Sequence, residues 1–321
     1  MRYSLISRFR GTLLGALVGT SLASTNQTKS HCLNLGNMAI LGTESLIKLG
    51  RLDLNDWIAR QPQEPLHLEA DDAVSIKVIL ATLPVALFFH ENPIKLRQNL
   101  LAVVQIWEND PIVRDGTLAI GYAIAQSLTE KLDPLTLIPQ IISFLGETPT
   151  SIPKQLLKVQ KLVNQRAGLE KAQAELNKEE KLSNNIAIAF YCFLSTLEDF
   201  RLAVLRATLN GDSKVEDDAI QVSKYLSLQA TGAITGALSG AYNTTQGIPV
   251  NLRVLLSQAN STVWGLTDFS QMLKLADALV TVWSGVYSTT VDSGELKEAS
   301  AMNSEIALLS VYAAPRVIRL R

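Results

Sequence analysis

Two adjacent carboxylates, Asp71 and Asp72, open a long apolar stretch of the chain. Carboxylates at a helix start are stabilised by unpaired backbone N–H groups and by the positive end of the helix dipole, so capping accounts for at least one of them. Adjacent carboxylates can also supply two of the oxygen ligands that Mg²⁺ takes in octahedral geometry. The pair therefore has two interpretations, a helix cap and a hard-cation site.

A second acidic group lies two-thirds of the way along the chain. It consists of Asp212, Glu216, Asp217 and Asp218. Acidic residues in this pattern are typical of a solvated loop followed by a helix N-terminus, and we favour that interpretation. The alternative is that one of them completes a cation site with the first pair.

The remaining residues with chemical potential are scattered. His31, His67 and His90 lack the spacing of metal ligands, which favours structural or solvated roles. Two cysteines, Cys32 and Cys192, are too few for a disulfide framework. We interpret them as reduced thiols and expect a cytoplasmic protein.

The elements that must position these groups include two glycine-bearing apolar segments. Each segment carries three glycines at intervals of four residues: Gly11, Gly15 and Gly19 in one, and Gly232, Gly236 and Gly240 in the other. Glycines four apart share one helix face and allow another backbone to approach closely, at a cost of about 1 kcal/mol each relative to alanine. Either the two helices simply pack tightly, or they also form the floor of a site.

Composition supports a soluble protein with a substantial buried core. Hydrophobic residues make up 47% of the chain and the net charge is −1, which gives no electrostatic reason to expect nucleic acid or an anionic membrane as a partner. Without a linker-like composition break, we predict a single domain over residues 1–321. The arginines before the first apolar run superficially match a signal peptide, but glycines interrupt that run at the interval seen again at 232–240, so we favour a helix of the mature fold.

Periodicity predicts an all-α, compact fold with a dozen or more helices. The predicted helices include 70–89, kinked or divided at Pro84, and 115–132, with Asp115 as its cap. Others are predicted at 153–180, 184–195, 198–209, 216–242, 250–260, 267–287 and 296–313. No segment alternates as a strand would.

Four stretches of the sequence resemble the ADP-ribosylglycohydrolase family. They are FYCFLSTLEDFRLAVLRATLNGDS, ATGAITGALSGAYNTTQGIP, RFRGTLLGALVGTSLA and LEADDAVSIKVIL. They are similar, respectively, to the family's C-terminal signature, its glycine-rich helix, its opening helix, and its Thr-Asp-Asp-Thr motif with the following helix. The resemblance covers most of the chain and implies an all-α fold.

The resemblance also implies a chemistry. In the family, two Mg²⁺ ions held by the Thr-Asp-Asp and Asp-x-Asp-Thr groups orient the ribose of ADP-ribose and assist attack of water at its anomeric carbon. Here Asp71 and Asp72 are retained as metal ligands, but Ala70 and Ala73 replace the two threonines. Thr20 stands where the family has an aspartate after the glycine helix.

The Asp-x-Asp-Thr motif can be placed in two ways. A gapless alignment puts its aspartates on Ser227 and Gln229, which makes these residues and Thr20 candidate substrate contacts. A gapped alignment instead retains Asp212 as a third metal ligand. We prefer the gapless alignment because it needs no insertion at a metal ligand.

Two functions follow from the resemblance. The first is a catalytically degenerate member, a pseudoenzyme with a weak or absent Mg²⁺ site that binds ADP-ribose or a related nucleotide, or acts in regulation. The second is an active metal-dependent N-glycosidase that removes ADP-ribose from a modified acceptor. We favour the first, because Mg²⁺ tolerates the loss of oxygen ligands badly.

Overall fold

The computed structural model describes residues 3–24, 34–61, 71–209, 218–253, 264–266 and 269–285. In this part of the chain every regular element is helical, and the predicted all-α fold is confirmed. The helices are α1 Leu5–Ser24, α2 Asn37–Leu49, α3 Leu54–Arg60, α4 Asp71–Ala81, α5 Leu83–Phe88, α6 Pro93–Trp107, α7 Pro111–Leu128, α8 Leu137–Leu145, α9 Ile152–Asn164, α10 Leu169–Leu176, α11 Lys181–Ser195, α12 Phe200–Thr208, α13 Asp218–Gly247 and α14 Phe269–Trp283.

Helices α1 and α13 form the centre of the fold and run antiparallel to each other. Their glycines pair in opposite order: Gly11 with Gly240, Gly15 with Gly236, and Gly19 with Gly232. A Cβ atom built on any of these six glycines would lie closer than 3.0 Å to the carbonyl oxygen of its partner. The predicted close backbone packing of the two glycine-rich helices is therefore confirmed, and the partner of each helix is the other.

The remaining helices surround this central pair. Helix α13 packs against α11, α12 and α7 as well as α1, and α1 also contacts α14. The ring of Phe200, at the start of α12, lies beside Gly15. A continuous buried core joins these helices to α4 through α9. This arrangement brings the first turns of α4 and α11 alongside the first half of α13.

Helix α13 bends near its C-terminus at Thr244, whose φ of 63° lies in the left-handed region. The buried guanidinium of Arg8 donates to the carbonyl oxygens of Ala241 (3.1 Å) and Tyr242 (3.2 Å) just before this bend. Side-chain donors of this kind can satisfy the carbonyl groups of the last turns of a helix. Arg8 thus fixes the C-terminal end of α13 against α1.

The apolar stretch from 70 to 89 is divided as predicted. Helix α4 begins at Asp71, and Thr82 separates it from α5, in which Pro84 lies in the first turn. Proline has no N–H to donate to the preceding turn, so the division at this point follows from its chemistry.

The start of α7 differs from prediction. Asp115 is not a cap: α7 begins four residues earlier at Pro111, where Asp110 accepts a hydrogen bond from the N–H of Ile112. Asp115 is instead buried, and its carboxylate accepts hydrogen bonds from the hydroxyls of Thr148 and Thr150, both at 2.5 Å. Pro111 indicates the start of α7 better than Asp115 does, because the φ of proline is already fixed near the helical value.

The stretch predicted as one helix from 153 to 180 is two helices, α9 and α10. Arg166, with a φ of 48°, and Gly168, which precedes α10, separate them. A left-handed residue cannot continue a right-handed helix, and side-chain periodicity does not reveal it.

Several predictions lie outside the described residues. They concern His31, Cys32, His67, Asp212, the predicted helix 296–313 and all but the start of the predicted helix 250–260. His90 and Cys192 are described, and both are buried. Among the described helices, none combines the length and the hydropathy needed to cross a membrane.

Candidate functional site

The start of α4 lies against α11 and α13 through one ammonium group. The Nζ atom of Lys181, the first residue of α11, donates a hydrogen bond to Oδ2 of Asp72 at 2.6 Å. The same Nζ atom also donates a short hydrogen bond to the hydroxyl of Ser223 on α13. The ammonium of Lys181 on α11 therefore contacts oxygen atoms of two other helices, α4 and α13.

This contact is open to solvent. The exposed fraction is 35% for the Lys181 side chain and 51% for that of Asp72. Exposed ion pairs contribute only about 0–1 kcal/mol to stability, so the fold does not depend on this one. The ion pair matters for the candidate site because the Lys181 ammonium is hydrogen-bonded to an oxygen of the Asp72 carboxylate.

We tested whether these residues fit the Mg²⁺ that the resemblance implies. A Mg²⁺ ion requires several oxygen ligands in near-octahedral geometry, and at least some must be unprotonated carboxylates free of other cations. The described side chains at this place supply one carboxylate, and an ammonium group is hydrogen-bonded to it. Within the described ranges, no three His, Cys, Asp or Glu side chains are grouped so that they could hold a metal ion. These side chains do not fit a divalent-cation site.

The candidate substrate contacts lie at different depths. Ser227 is partly buried, donates to the carbonyl oxygen of Ser223 at 3.1 Å and lines an open groove. Gln229 is fully buried, and its amide donates to the hydroxyl of Tyr225 at 3.0 Å. Thr20 is also fully buried, and its hydroxyl accepts a hydrogen bond from the indole of Trp264 at 3.2 Å. Of the three, Ser227 alone faces the groove.

Of the three candidate metal ligands, Asp71 and Asp72 lie within the described residues. Asp71 is the first residue of α4, and its backbone position agrees with the predicted helix start. Asp72 follows it and carries the ion pair with Lys181. Asp212 lies outside the described residues, so its place relative to Asp72 stays a prediction of the gapped alignment.

A groove of about 430 Å³ runs beside the ion pair, between α10, α11, α12 and α13. Its lining combines an apolar floor with a polar rim that includes lysines and amides. The lining residues are Gln173, Asn177, Glu179, Lys181, Asn184, Asn185, Ile188, Ala207, Leu209, Lys224, Ser227, Leu228 and Thr231. A concave, partly apolar site with a few polar groups is the usual form of a small-molecule site.

The side chain of Asn185 is open to the groove. Asn185 is only 6% exposed, lines the groove, and makes no side-chain hydrogen bond to any residue that the structure describes. Its neighbour Asn184 differs, since its carboxamide bonds Gln155 and the backbone of Glu179. Because the Asn185 carboxamide lines the groove and can both donate and accept, it is suited to bind a ligand there.

Two ionised groups that line the groove, Glu179 and Lys181, are each paired with an opposite charge. Glu179 pairs with Lys154 at 3.0 Å and with Lys158 at 3.5 Å. The hydrogen bond from Lys154 is the main reason why the pKa of Glu179 lies below its usual value. Lys181 pairs with Asp72, so the charges of both groove side chains are offset.

Sequence reasoning missed Lys181, Ser223 and Asn185. The helices predicted at 153–180 and 184–195 left Lys181 between them, although it is the first residue of α11. A usable signal was present: Asn184 and Asn185 precede a run of apolar residues on α11, and amides in such a place must be bonded or face a ligand.

Comparison with known proteins agrees with this architecture. A solved structure described as an ADP-ribosylglycohydrolase-related protein complex superimposes with a TM-score of 0.60 at 16% identity, covering 87% of this chain and 99% of that one. At this identity the likeness shows the fold alone. No curated protein matched the sequence. The family model for ADP-ribosylglycohydrolase matches residues 27–215, more than half of the 321 residues and a range that includes Asp72 and Lys181. The chain therefore belongs to the ADP-ribosylglycohydrolase family.

Proposed function

We propose that this protein binds ADP-ribose or a closely related nucleotide without metal and without hydrolysing it. The observation that carries the proposal is the 2.6 Å hydrogen bond from the Lys181 ammonium to the carboxylate of Asp72. In the family, as the resemblance implies, the corresponding carboxylate holds a metal ion. A carboxylate that already neutralises an ammonium group is a poor ligand for a second cation.

The loss of metal removes the family's catalytic device. A pair of metal ions orients the substrate and activates the water that attacks it. Positioning of this kind contributes about 7–11 kcal/mol to lowering a barrier, so its loss slows turnover by many orders of magnitude. The neutral residues at Ser227 and Gln229, and the alanines at positions 70 and 73, reduce the oxygen donors further.

Binding does not need the metal. The groove of about 430 Å³ lies within the roughly 300–1,000 Å³ range of small-molecule sites. The Asn185 carboxamide provides an N–H donor for a phosphate oxygen and a carbonyl acceptor for a ribose hydroxyl. Ile188 and Leu228 provide apolar surface for a sugar or base face.

The binding part of the proposal is tested by calorimetric titration of ADP-ribose in the presence of EDTA. We expect wild-type protein to bind under these conditions. Asn185→Leu removes the amide from the groove without breaking a protein hydrogen bond and should weaken binding about tenfold or more. Asn164→Leu, at an exposed position at the end of α9, is the matched control and should bind as the wild type does. Absence of wild-type binding would refute the proposal.

The catalytic part is tested with ADP-ribosyl-arginine and ADP-ribosyl-serine peptides in excess Mg²⁺. We expect no release of ADP-ribose. Mg²⁺-dependent release that Asp72→Ala abolishes would instead establish the second function, an active N-glycosidase with Asp71, Asp72 and Asp212 as ligands. Calorimetry with Mg²⁺ alone provides an independent reading, since a working site should bind the ion at micromolar concentrations.

A further inference from the structure

Helix α14 has two apolar faces. The residues of the first face, which is buried in the core, are Met272, Ala276 and Leu279. The second face is only partly buried, and its residues, spaced three or four apart, are Leu275, Ala278 and Val282. A surface helix normally turns polar residues to the solvent, so a second apolar face is typical of a helix that another segment covers.

A groove of about 410 Å³ runs along this second face, between α14, α2 and α3. Its apolar lining comes from Leu275 and Ala278 of α14 and from Ile47 of α2. Helix α14 is held to the fold by other contacts, because the guanidinium of Arg10 on α1 donates to both carboxylate oxygens of Asp277 at 2.5 Å. The groove therefore belongs to the fold whether or not a segment lies in it.

The rim of the groove carries one cation without a counter-charge. Arg60 donates to Asp56 at 2.6 Å and lies 3.7 Å from Glu44. Lys48 lies 3.8 Å from Asp56, so these two cations and two carboxylates offset one another. Lys274 is exposed and forms no ion pair with any residue that the structure describes. The groove therefore fits an occupant that is apolar on the face it buries and acidic along one edge.

The chain that follows α14 can reach this groove. Residues 286–321 lie outside the part of the chain that the structure describes, and the sequence predicts a helix at 296–313 within them. The connection, residues 286–295, spans up to about 33 Å when extended. The distance along α14 from Ala278 to its last residue, Trp283, is only about 8 Å at the helical rise. The predicted helix can thus turn back along α14.

The predicted helix also has the pattern that fits the groove. Its residues Met302, Ile306 and Leu309, spaced by four and three, share one face of a helix. Glu298 and Glu305, seven residues apart, lie along one edge of that face. An apolar face with an acidic edge complements both the apolar lining and the lysine without a counter-charge.

We propose that the segment 296–313 docks as a helix in the groove between α2, α3 and α14 of its own chain. Its apolar face covers the second face of α14, and its acidic edge lies beside Lys274. The segment runs antiparallel to α14, because the chain must turn back to enter the groove. The inference is independent of the proposed function, since this groove and the groove beside Lys181 share no lining residue.

The test is disulfide trapping in the full chain with Cys32→Ser. Ala278→Cys is combined in turn with Met302→Cys, Ile306→Cys and Ser304→Cys, and each protein is oxidised mildly. Because a disulfide requires Cα atoms within about 7 Å, we expect the variant at 302 or 306 to form at least about fivefold more intramolecular disulfide than the variant at 304. Ser304 lies on the opposite side of the predicted helix and is the matched control for simple tethering.

Hydrogen exchange of the amides in 296–313 provides a second measurement. A docked helix exchanges slowly, and Ile306→Asp should speed its exchange at least about tenfold by removing the buried face, whereas Ser304→Asp should not. Lys274→Glu places a like charge beside the acidic edge and should speed exchange about threefold or more. Lys161→Glu, at an exposed lysine of α9, is its matched control and should leave exchange unchanged. The buried Cys192 takes no part in the trapping.

Three results would each overturn the inference. Equal disulfide yields at 302, 304 and 306 would show that the segment is tethered but not docked. Disulfide-linked dimers in place of the intramolecular product would put the segment in the groove of a second copy. Rapid exchange throughout 296–313 of the wild type would show that the segment forms no docked helix. Circular dichroism of every variant checks that the helical fold is retained.

Discussion

Gly15 and Gly236 lie face to face across the antiparallel helices α1 and α13. A Cβ atom on Gly236 would come closer than 3.0 Å to the carbonyl oxygen of Gly15, and a Cβ atom on Gly15 would meet the carbonyl of Gly236 in the same way. The relation is reciprocal, and the pairs on either side of it repeat it. The two backbones are therefore in direct contact over more than two helical turns, with no side chain between the paired glycines.

This contact predicts that Gly236→Leu is strongly destabilising. The new side chain would meet backbone atoms of α1, which cannot move aside as a flexible side chain can. Overpacking of this kind costs about 1–3 kcal/mol in ordinary cores, and we expect more than about 2 kcal/mol here. The measurement is the free energy of unfolding in urea, with Gly236→Ala as a smaller step in the same direction.

Gly168→Ala is the matched control for this series. It precedes α10, has a negative φ, and a Cβ atom built there meets nothing within 4 Å. We expect it to change stability by less than about 1 kcal/mol, the usual scale of a substitution next to a helix start. An unfolding midpoint for Gly236→Leu equal to that of Gly168→Ala would exclude close backbone packing of α1 and α13.

The features predicted well from the sequence are those that depend on local patterns of residues. Helical period, the glycine interval on α1 and α13, and the proline at 84 each act through a few neighbouring residues. The structure confirms the consequence of each. The end of α9 was missed because its signal is a single left-handed residue, Arg166, of a type that gives no warning of a positive φ.

The candidate site was predicted less completely. Asp72 was identified from its neighbour and its place before an apolar run, which are both local. Its partner Lys181 is 109 residues away in the chain, and Ser223 is a further 42 residues along. No spacing rule links residues that only the packing of α4, α11 and α13 brings together. A lone lysine at a helix start carries no such signal.

Because His90 is buried, we predict that the free energy of unfolding falls in mild acid. It is buried beside the rings of Phe9 and Trp283, and burial lowers its pKa from 6.5 to about 4, although a hydrogen bond to the carbonyl of Leu87 opposes the shift. The unfolded chain takes up the proton near pH 6.5, whereas the folded protein resists it until about pH 4. The neutral histidine therefore favours the folded state above pH 6.5, and this advantage is lost as the pH falls towards 4. The loss amounts to as much as about 3 kcal/mol.

The measurement is the free energy of unfolding between pH 4 and 7 for the wild type and for His90→Asn. The asparagine amide can bond the Leu87 carbonyl but does not titrate, so the variant should lose less stability on acidification. A cavity beside Trp283 lowers its stability by the same amount at every pH, which separates packing from titration. Parallel stability curves for the two proteins would rule out a neutral buried His90.

Cys192 predicts a thiol that reacts only on unfolding. The residue is fully buried in α11, and burial raises its pKa to about 12, with Arg206 opposing the shift. The thiolate is the reactive form, so both access and ionisation are suppressed. In a Cys32→Ser background, a dilute disulfide reagent at pH 8 should label Cys192 only through the unfolded state, at a rate that rises in urea in proportion to the unfolded fraction. Rapid labelling of the folded protein would contradict this.

Substitution of Thr20 is predicted to lower the stability of the fold. The family resemblance had instead suggested that Thr20 contacts the substrate. Trp264 and Thr20 are both fully buried, and the indole N–H donates to the Thr20 hydroxyl, which itself donates to the carbonyl of Ala16 at 2.8 Å. Thr20→Val has nearly the same shape but removes the acceptor of the indole N–H. We expect a loss of about 1–3 kcal/mol in the free energy of unfolding, because a buried donor without a partner keeps its full desolvation penalty. Thr20→Ser retains the hydroxyl and should keep most of the stability.

ADP-ribose affinity, measured on the folded fraction, should be unchanged in Thr20→Val and reduced in Asn185→Leu, since Asn185 alone of the two lines the groove. Weaker binding by Thr20→Val at wild-type stability would return Thr20 to the substrate site.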